Sequence, residues 1–179
     1  MSTVATLPVA SKPDPVARAR ALGPALTAAA DALERTQEIP EPLLTQLHEA
    51  RLFRMLLPRS VGGDQVDPWT YLRAVEEIAR CDGSVGWNTF VGNSSALIAP
   101  YIPIEAARAI YSDPRGLIAW GPPNQHRAIA APGGYRVTGE WHFASGSRQA
   151  NWIGAHCHVV EPDGSLRLNR FGRPTIRTL

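Results

Sequence analysis

The sequence predicts an α+β chain: an all-helical N-terminal domain followed by an incomplete antiparallel β domain. Three observations carry this. Apolar residues recur at helical spacing through the first hundred or so residues. After Pro114 the chain turns to short runs rich in aromatic and β-branched residues, set between Pro- and Gly-containing turns. Hydrophobic residues make up 44% and charged residues 19%, enough apolar content for a packed core.

The elements follow in order. Met1 to Lys12 has neither a basic segment leading into an apolar core nor helical periodicity, so it reads as a disordered tail and not as a secretion signal. Asp14-Pro15 places a capping residue before a proline at the first helical position, and Leu22, Leu26, Ala29 and Leu33 then share a face. Pro24 falls inside that pattern, so this helix starts late, kinks or divides in two. A second helix follows Ile39-Pro40, with Leu43, Leu44, Leu47 and Ala50 on one side. Asp67-Pro68 opens a third, whose stripe is Leu72, Val75 and Ile78-Ala79. A fourth starts between Asp82 and Ser84 and carries Val85, Phe90, Val91, Leu97 and Ile98. Pro103 begins a short fifth, which Ser112-Asp113-Pro114 ends. Beyond it, Leu117–Trp120, Tyr135–Phe143 and Trp152–Val160 read as strands. The expected division is therefore a tail over 1–12, a helical domain over 13–113 and a partial β domain over 114–179. Arg177-Thr178-Leu179 resembles no natural finish, and the strands are too few to close a barrel or a sandwich. A piece of a longer protein is expected.

Composition excludes several function classes. A net charge of +2, with Lys12 as the only lysine, argues against nucleic acid or an anionic membrane as partner. No apolar run approaches the roughly 20 residues of a membrane span. Two cysteines, Cys81 and Cys157, make no disulfide framework and fit a reducing cytoplasm. GxGxxG, GxxxxGK[ST] and GxSxG are all missing, so the Rossmann, P-loop and serine-hydrolase signatures do not apply.

Candidate chemistry lies in the second half. Gly139 is followed by Trp141, Phe143, Ala144, Ser145 and Gly146: aromatic faces beside a hydroxyl and a flexible backbone. In a strand Trp141, Phe143 and Ser145 share one face, which suits a planar, partly polar ligand. A core-facing aromatic pair followed by a Ser-Gly turn is the competing reading. Leu117 to Pro122 is a strand ending in Trp120-Gly121-Pro122, which exposes backbone at its tip. Trp120 is either a ligand wall or a core residue. His156 and His158 share a strand face and form a possible metal pair. No third ligand has a spacing that joins them, so no metal is assigned. Asn93 and Ser94-Ser95 put small polar groups into the fourth helix and offer a substrate contact or an ordinary polar face.

Several segments, in order, carry a resemblance to the acyl-CoA dehydrogenase superfamily. These are Leu52 to Pro58 leading to Gly62-Gly63, Glu76 to Trp87, Gly134 to Ser145-Gly146, and Ala150-Asn151-Trp152. They resemble the N-terminal and part of the middle domain, particularly in the flavin-dependent monooxygenase branch. The resemblance implies FAD or FMN as cofactor, with Ser145 beside flavin N5 and Trp120, Gly121, Trp141, Phe143 and Ala144 along the ring. It implies Asn93 and Trp120 as substrate contacts, and leaves the catalytic base unknown, beyond Leu179. The family's dehydrogenases carry Thr-Glu-Pro-x-Ala-Gly-Ser where this chain has Trp120-Gly121-Pro122-Pro123-Asn124, a departure that favours reduced flavin and oxygen over thioester oxidation. Implied partners are a small-molecule substrate, a flavin reductase and further copies of the chain, four in the complete protein. Two alternatives stay open: an acyl-CoA dehydrogenase that oxidises a thioester, and a non-catalytic fragment.

Overall fold

The computed structural model describes residues 14–122 and 126–179. The expected tail over 1–12 and the Pro123-Asn124 part of the strand-end motif lie outside these residues.

The first helical stretch is divided into α1 (Pro15–Ala21), α2 (Gly23–Ala28) and α3 (Ala30–Thr36). Pro24 opens α2, where its missing N–H leaves no helical bond unmade. The joints at Leu22 and Ala29 keep right-handed helical dihedrals. Across them, Leu26 N bonds Leu22 O and Leu33 N bonds Ala29 O, each at 2.9 Å, so the helical course continues. Val16, Ala19, Leu26 and Leu33 are the buried stripe. Next, α4 (Glu41–Glu49) buries Leu43, Leu44 and Leu47.

Two aspartate-capped helices form the centre. Asp67 accepts from Thr70 N at 3.0 Å to start α5 (Pro68–Ala79), and Asp82 accepts from Val85 N at 2.8 Å to start α6 (Gly83–Ala96). The buried side of α5 is Tyr71, Ala74 and Ile78; of the expected stripe Ile78 is buried and Val75 partly so, while Ala79 is exposed and Leu72 is 47% exposed. Tyr71 anchors that side: its ring stacks on Phe90 at 5.9 Å and its hydroxyl donates to Phe90 O at 2.8 Å. Leu97, expected on α6, is exposed just past its end. At Gly86 a Cβ would lie 2.6 Å from Ala79 Cβ, so α6 leaves α5 at a distance that only glycine permits. Then comes α7 (Ile104–Tyr111).

Between α4 and α5 the chain runs through the interior in turns and bends, with one short 3-10 helix at Arg59–Val61. Leu52, Phe53, Met55 and Leu57 are all buried there. Asn93 of α6 holds this passage. Its amide donates to Leu52 O at 2.7 Å and Thr89 O at 2.9 Å, and its oxygen accepts from Met55 N at 2.8 Å and Leu56 N at 3.2 Å. Arg54, also buried, donates to the carbonyls of Tyr111, Asp113 and Pro114, where α7 gives way to the strands.

Among the described residues six strands follow: β1 (Ile118–Trp120), β2 (Arg127–Ala131), β3 (Gly134–Thr138), β4 (Trp152–Gly154), β5 (His156–Val160) and β6 (Ile176–Thr178). The sheets are mixed, which corrects the antiparallel expectation. β1 pairs with β4 in parallel, and the second sheet runs β3-β2-β5-β6, with β2 and β5 parallel. The reason is topological: only β2 and β3 meet through a hairpin turn, while β5 reaches β2 after the long 139–151 excursion. β2 and β6 were not expected, because Arg127–Ala131 is alanine-rich and β6 has only three residues. The expected Tyr135–Phe143 strand stops at Thr138. β1 belongs to the helical core as well as to a sheet: Leu117 joins the cluster of α1 to α6, and Ile118 a second cluster with Leu57, Ala96, Ala107 and Tyr111.

Replacing Asn93 by alanine strands the Met55 N–H and the Leu52 carbonyl in the interior. We expect about 2–4 kcal/mol of destabilisation in denaturant unfolding. A second test concerns His48, whose ring packs 4.9 Å from Phe53 and whose Nε2 is buried with no partner among the described residues. Burial, then the nearby Arg115 and Arg54, lower its pKa to about 4 from the ordinary 6.5. The folded state thus binds fewer protons than the unfolded state between these values, so stability is full above about pH 6.5 and falls as pH drops toward 4. Thermal unfolding followed across that window should show a smaller acid loss for His48→Leu than for the parent.

Candidate functional site

α6 supplies one wall of the site and the ends of β1 and β4 supply the other. β1 delivers Trp120 into a cavity of about 420 Å³, with Ser94 and Ser95 of α6 and Ile98, just past its end, opposite and Trp152, Ile153 and His156 closing the side. The cavity is mainly apolar. The Trp120 indole meets the His156 ring edge-on at 4.8 Å. Its N–H is buried with no hydrogen-bond partner among the described residues. His156 Nδ1 lies 2.7 Å from Thr178 Oγ1, and burial holds the His156 pKa below its ordinary value, so the ring is neutral near pH 7.

Gly121 brings the two expected segments together. A Cβ there would lie 2.9 Å from His142 O and 3.3 Å from Trp141 Cβ. The end of β1 therefore runs directly against the Trp141-His142 backbone, and glycine is what allows it. Trp141 lies tilted on His126 at a centroid distance of 4.4 Å and donates to His156 O at 3.4 Å. His156 thus touches both tryptophans, one through its ring and one through its carbonyl.

Residues 139–150 are not a strand, which corrects the shared face expected for Trp141, Phe143 and Ser145. Phe143 sits at φ 57° in the left-handed region, reversing the chain, and its ring is 89% exposed. The Ser145 N–H donates to Phe143 O at 2.9 Å, which starts the turn. Ala144 and Ser145 then line a second, more polar cavity of about 390 Å³, together with Asp82, Asn88 and Gln149. Trp120 and Ser145 therefore line different cavities.

Ser145 has a partner that sequence reasoning missed. The Trp87 indole N–H, on α6, donates to Ser145 Oγ at 3.0 Å. Trp87 stacks on Phe90 at 5.6 Å, and Phe90 on Tyr71, so a ladder of rings backs the serine. With one lone pair taken by Trp87, the Ser145 hydroxyl keeps its own proton and one further lone pair for a ligand. The available signal was the tryptophan four residues after Asp82-Gly83, but nothing in spacing joins it to Ser145, 58 residues away.

Asn93 is corrected as a substrate contact. It is fully buried, and both amide hydrogens and the oxygen are engaged by the protein. Its neighbours Ser94 and Ser95 are the residues that line the cavity. His156 and His158 lie on one strand, but no group of three or more His, Cys, Asp or Glu side chains that could hold a metal forms among the described residues. Cys157 points to the opposite side of β5 and is fully buried.

Comparison with known proteins places this arrangement. Residues 19–106 match the family described as Acyl-CoA dehydrogenase, N-terminal domain. The flavin-dependent monooxygenase oxygenase subunit HsaA of Rhodococcus jostii is 32% identical over 139 residues, 75% of this chain and 36% of that protein. Indole-3-acetate monooxygenase of Pseudomonas putida is 29% identical over 150 residues, 77% of this chain and 38% of that protein. The chain thus spans well under half the length of these curated relatives. Among solved structures, the 3-HSA hydroxylase of Rhodococcus sp. RHA1 superposes with a TM-score of 0.82 at 26% identity, over 93% of this chain and 42% of that one. The chain belongs to the acyl-CoA dehydrogenase superfamily, with its helical part matching that family's N-terminal domain.

Proposed function

We propose that this chain is part of the oxygenase component of a flavin-dependent monooxygenase that hydroxylates an aromatic substrate. The observation that carries the reading is the contact at Gly121. It puts the strand end that delivers Trp120 to the apolar cavity against the Trp141-His142 backbone, where the aromatic and hydroxyl strip that suits a flavin ring begins. The names of the R. jostii and P. putida relatives support it.

The residues present fit a flavin, FAD or FMN. Ser145 has a free proton and lone pair, Phe143 offers an open aromatic face, and Trp120 holds an orphaned indole N–H. Trp141, Phe143, Ala144 and Ser145 would hold the ring, with Trp120 and Gly121 at its edge. Reduced flavin, when bound, supplies the two electrons that let one atom of oxygen enter the substrate while the other leaves as water. The chain's own share is positional. Trp87 orients the Ser145 hydroxyl, and the isoleucines around Trp120 keep water from the substrate side. A separate flavin reductase, further copies of the chain (four in the complete protein), a cytoplasmic setting, a continuation beyond Leu179 and a division into two units near residue 114 belong to the same reading.

Ser145→Ala should weaken flavin binding by about tenfold or less, the worth of one hydrogen bond, as read by quenching of flavin fluorescence. Unchanged affinity would remove Ser145 from the site. The reaction type is tested by supplying reduced flavin, oxygen and an aromatic substrate and analysing for a hydroxylated product. Bleaching of oxidised flavin by an acyl-CoA thioester without oxygen, and no hydroxylation, would establish thioester dehydrogenation instead.

A further inference from the structure

We propose that the cavity between the Gly62 turn and the end of α7 is an anion site, in which Arg51, Arg54 and Arg108 take a compact oxyanion of the phosphate type. None of its wall residues belongs to the tryptophan-lined cavity or to the one that Ser145 lines, so the inference stands independently of the function proposed above.

Arg54 is a buried charge without a counter-ion. It is 6% exposed, and its partners are all neutral: the carbonyls of Tyr111 at 2.9 Å, Pro114 at 3.1 Å and Gly62 at 3.4 Å, and that of Asp113. Asp64 is held instead by Arg18 and Arg51, each at 2.7 Å, and the Asp113 carboxylate accepts from Arg115 N at 2.8 Å. Carbonyls satisfy the hydrogen bonds of a guanidinium but leave its charge uncompensated, which is costly in an interior. Arg51 adds to that charge. Its Nη2 and Arg54 Nη1 converge on one oxygen, Gly62 O, at 2.6 and 3.4 Å. Gly62 sits at φ 84°, and a Cβ there would lie 3.2 Å from Arg54 Nη1, so the turn is built for glycine. Burial and the adjoining Arg51 both lower the Arg54 pKa, and an anion brought to the pair relieves both.

Donors dominate the wall. The cavity has a volume of about 340 Å³, and Arg51, Arg54, Gly62, Arg108, Tyr111 and Ser112 line it, with no aspartate or glutamate among the described residues. Arg51 keeps both Nη1 protons free, and Arg54 keeps one. Arg108, exposed in the last turn of α7, makes no side-chain hydrogen bond or ion pair among the described residues. Tyr111 is 3% exposed, and its hydroxyl likewise has no partner there. The carbonyl end of α7 would repel an anion, but Arg54 covers Tyr111 O and Arg108 stands in the same turn. Planar guanidinium forks match the paired oxygens of a phosphate, which gives several donors an acceptor at once. A carboxylate has fewer oxygens and less charge to offer them.

The experiment titrates the chain with inorganic phosphate, acetate and ADP by calorimetry, near neutral pH and at fixed ionic strength. Phosphate should bind once per chain, about tenfold or more tightly than acetate, and should raise the melting temperature. Arg108→Ala removes a side chain that bonds nothing in the fold and should weaken phosphate by about tenfold, the worth of a charge-assisted hydrogen bond. Arg108→Lys should recover part of that loss. Arg173→Ala, which removes an exposed arginine of the β part, should leave binding as it is. Tighter binding of ADP than of phosphate, lost with Arg108, supports the inference and makes the ligand the terminal phosphate of a nucleotide. Binding of ADP no tighter than phosphate supports it with a free phosphate ion as the ligand. The inference is overturned if phosphate does not bind, if acetate binds equally well, or if Arg108→Ala keeps the parent affinity. Equal losses in Arg108→Ala and Arg173→Ala overturn it too, since they would report general surface charge.

Discussion

The Asn93 amide is the constraint on which the rest of the molecule depends. It is a fully buried polar group whose cost is removed only because all of its hydrogen-bonding positions are filled. By filling them it fastens the irregular Leu52–Leu56 passage to α6 and fixes the rotation of that helix. The rest of α6 then has its orientation. Val85 and Thr89 enter the core, Trp87 emerges beside Ser145, and Ser94 and Ser95 reach the apolar cavity. One amide inside the helix thus sets where the neighbouring side chains meet the second half of the chain.

Arg54 performs the matching task at the transition from helix to strand. Its partners are backbone carbonyls of Tyr111, Asp113 and Pro114. A guanidinium in a planar fork satisfies several acceptors of an irregular turn at once, which few other side chains can do. Burial lowers its pKa and the nearby Arg51 does so further, but an arginine stays protonated through the physiological range. The turn it holds delivers Leu117 and Ile118 into the helical core, and so determines where Trp120 ends.

The site is the meeting of these two placements. Gly121 lets the end of β1 touch the Trp141-His142 backbone, and the two segments that meet there contribute to an apolar cavity and to a more polar one. Trp120 serves the first and Ser145 the second. Such a division fits a reaction in which a greasy substrate and a polar-edged cofactor approach from two sides. Phe143, Leu168 and Phe171 are large apolar side chains of the β part that stand exposed.

Much of the helical half was readable from residues, because local chemistry dominates there. Asp67 and Asp82 cap the helices that the Asp-Pro and Asp-Gly signals announced, and Pro24 divides the first helix where its missing N–H and fixed φ require. The residue types of the strip from Trp141 to Ser145 and of Trp120-Gly121 were legible, and so was the suggestion of a ligand segment that they carry. Their conformation was not, since the left-handed turn at Phe143 depends on what the turn packs against and not on the alternation of residue types. Tertiary structure alone decided that Asn93 holds the core while Ser94 and Ser95 face the cavity. A helix turns by about 100° per residue, so adjacent polar residues part company once the buried face is set by contacts far away in sequence. It alone decided, too, that Trp87 meets Ser145 and that the sheets are mixed, because hydrogen bonds between residues 58 positions apart leave no trace in local spacing.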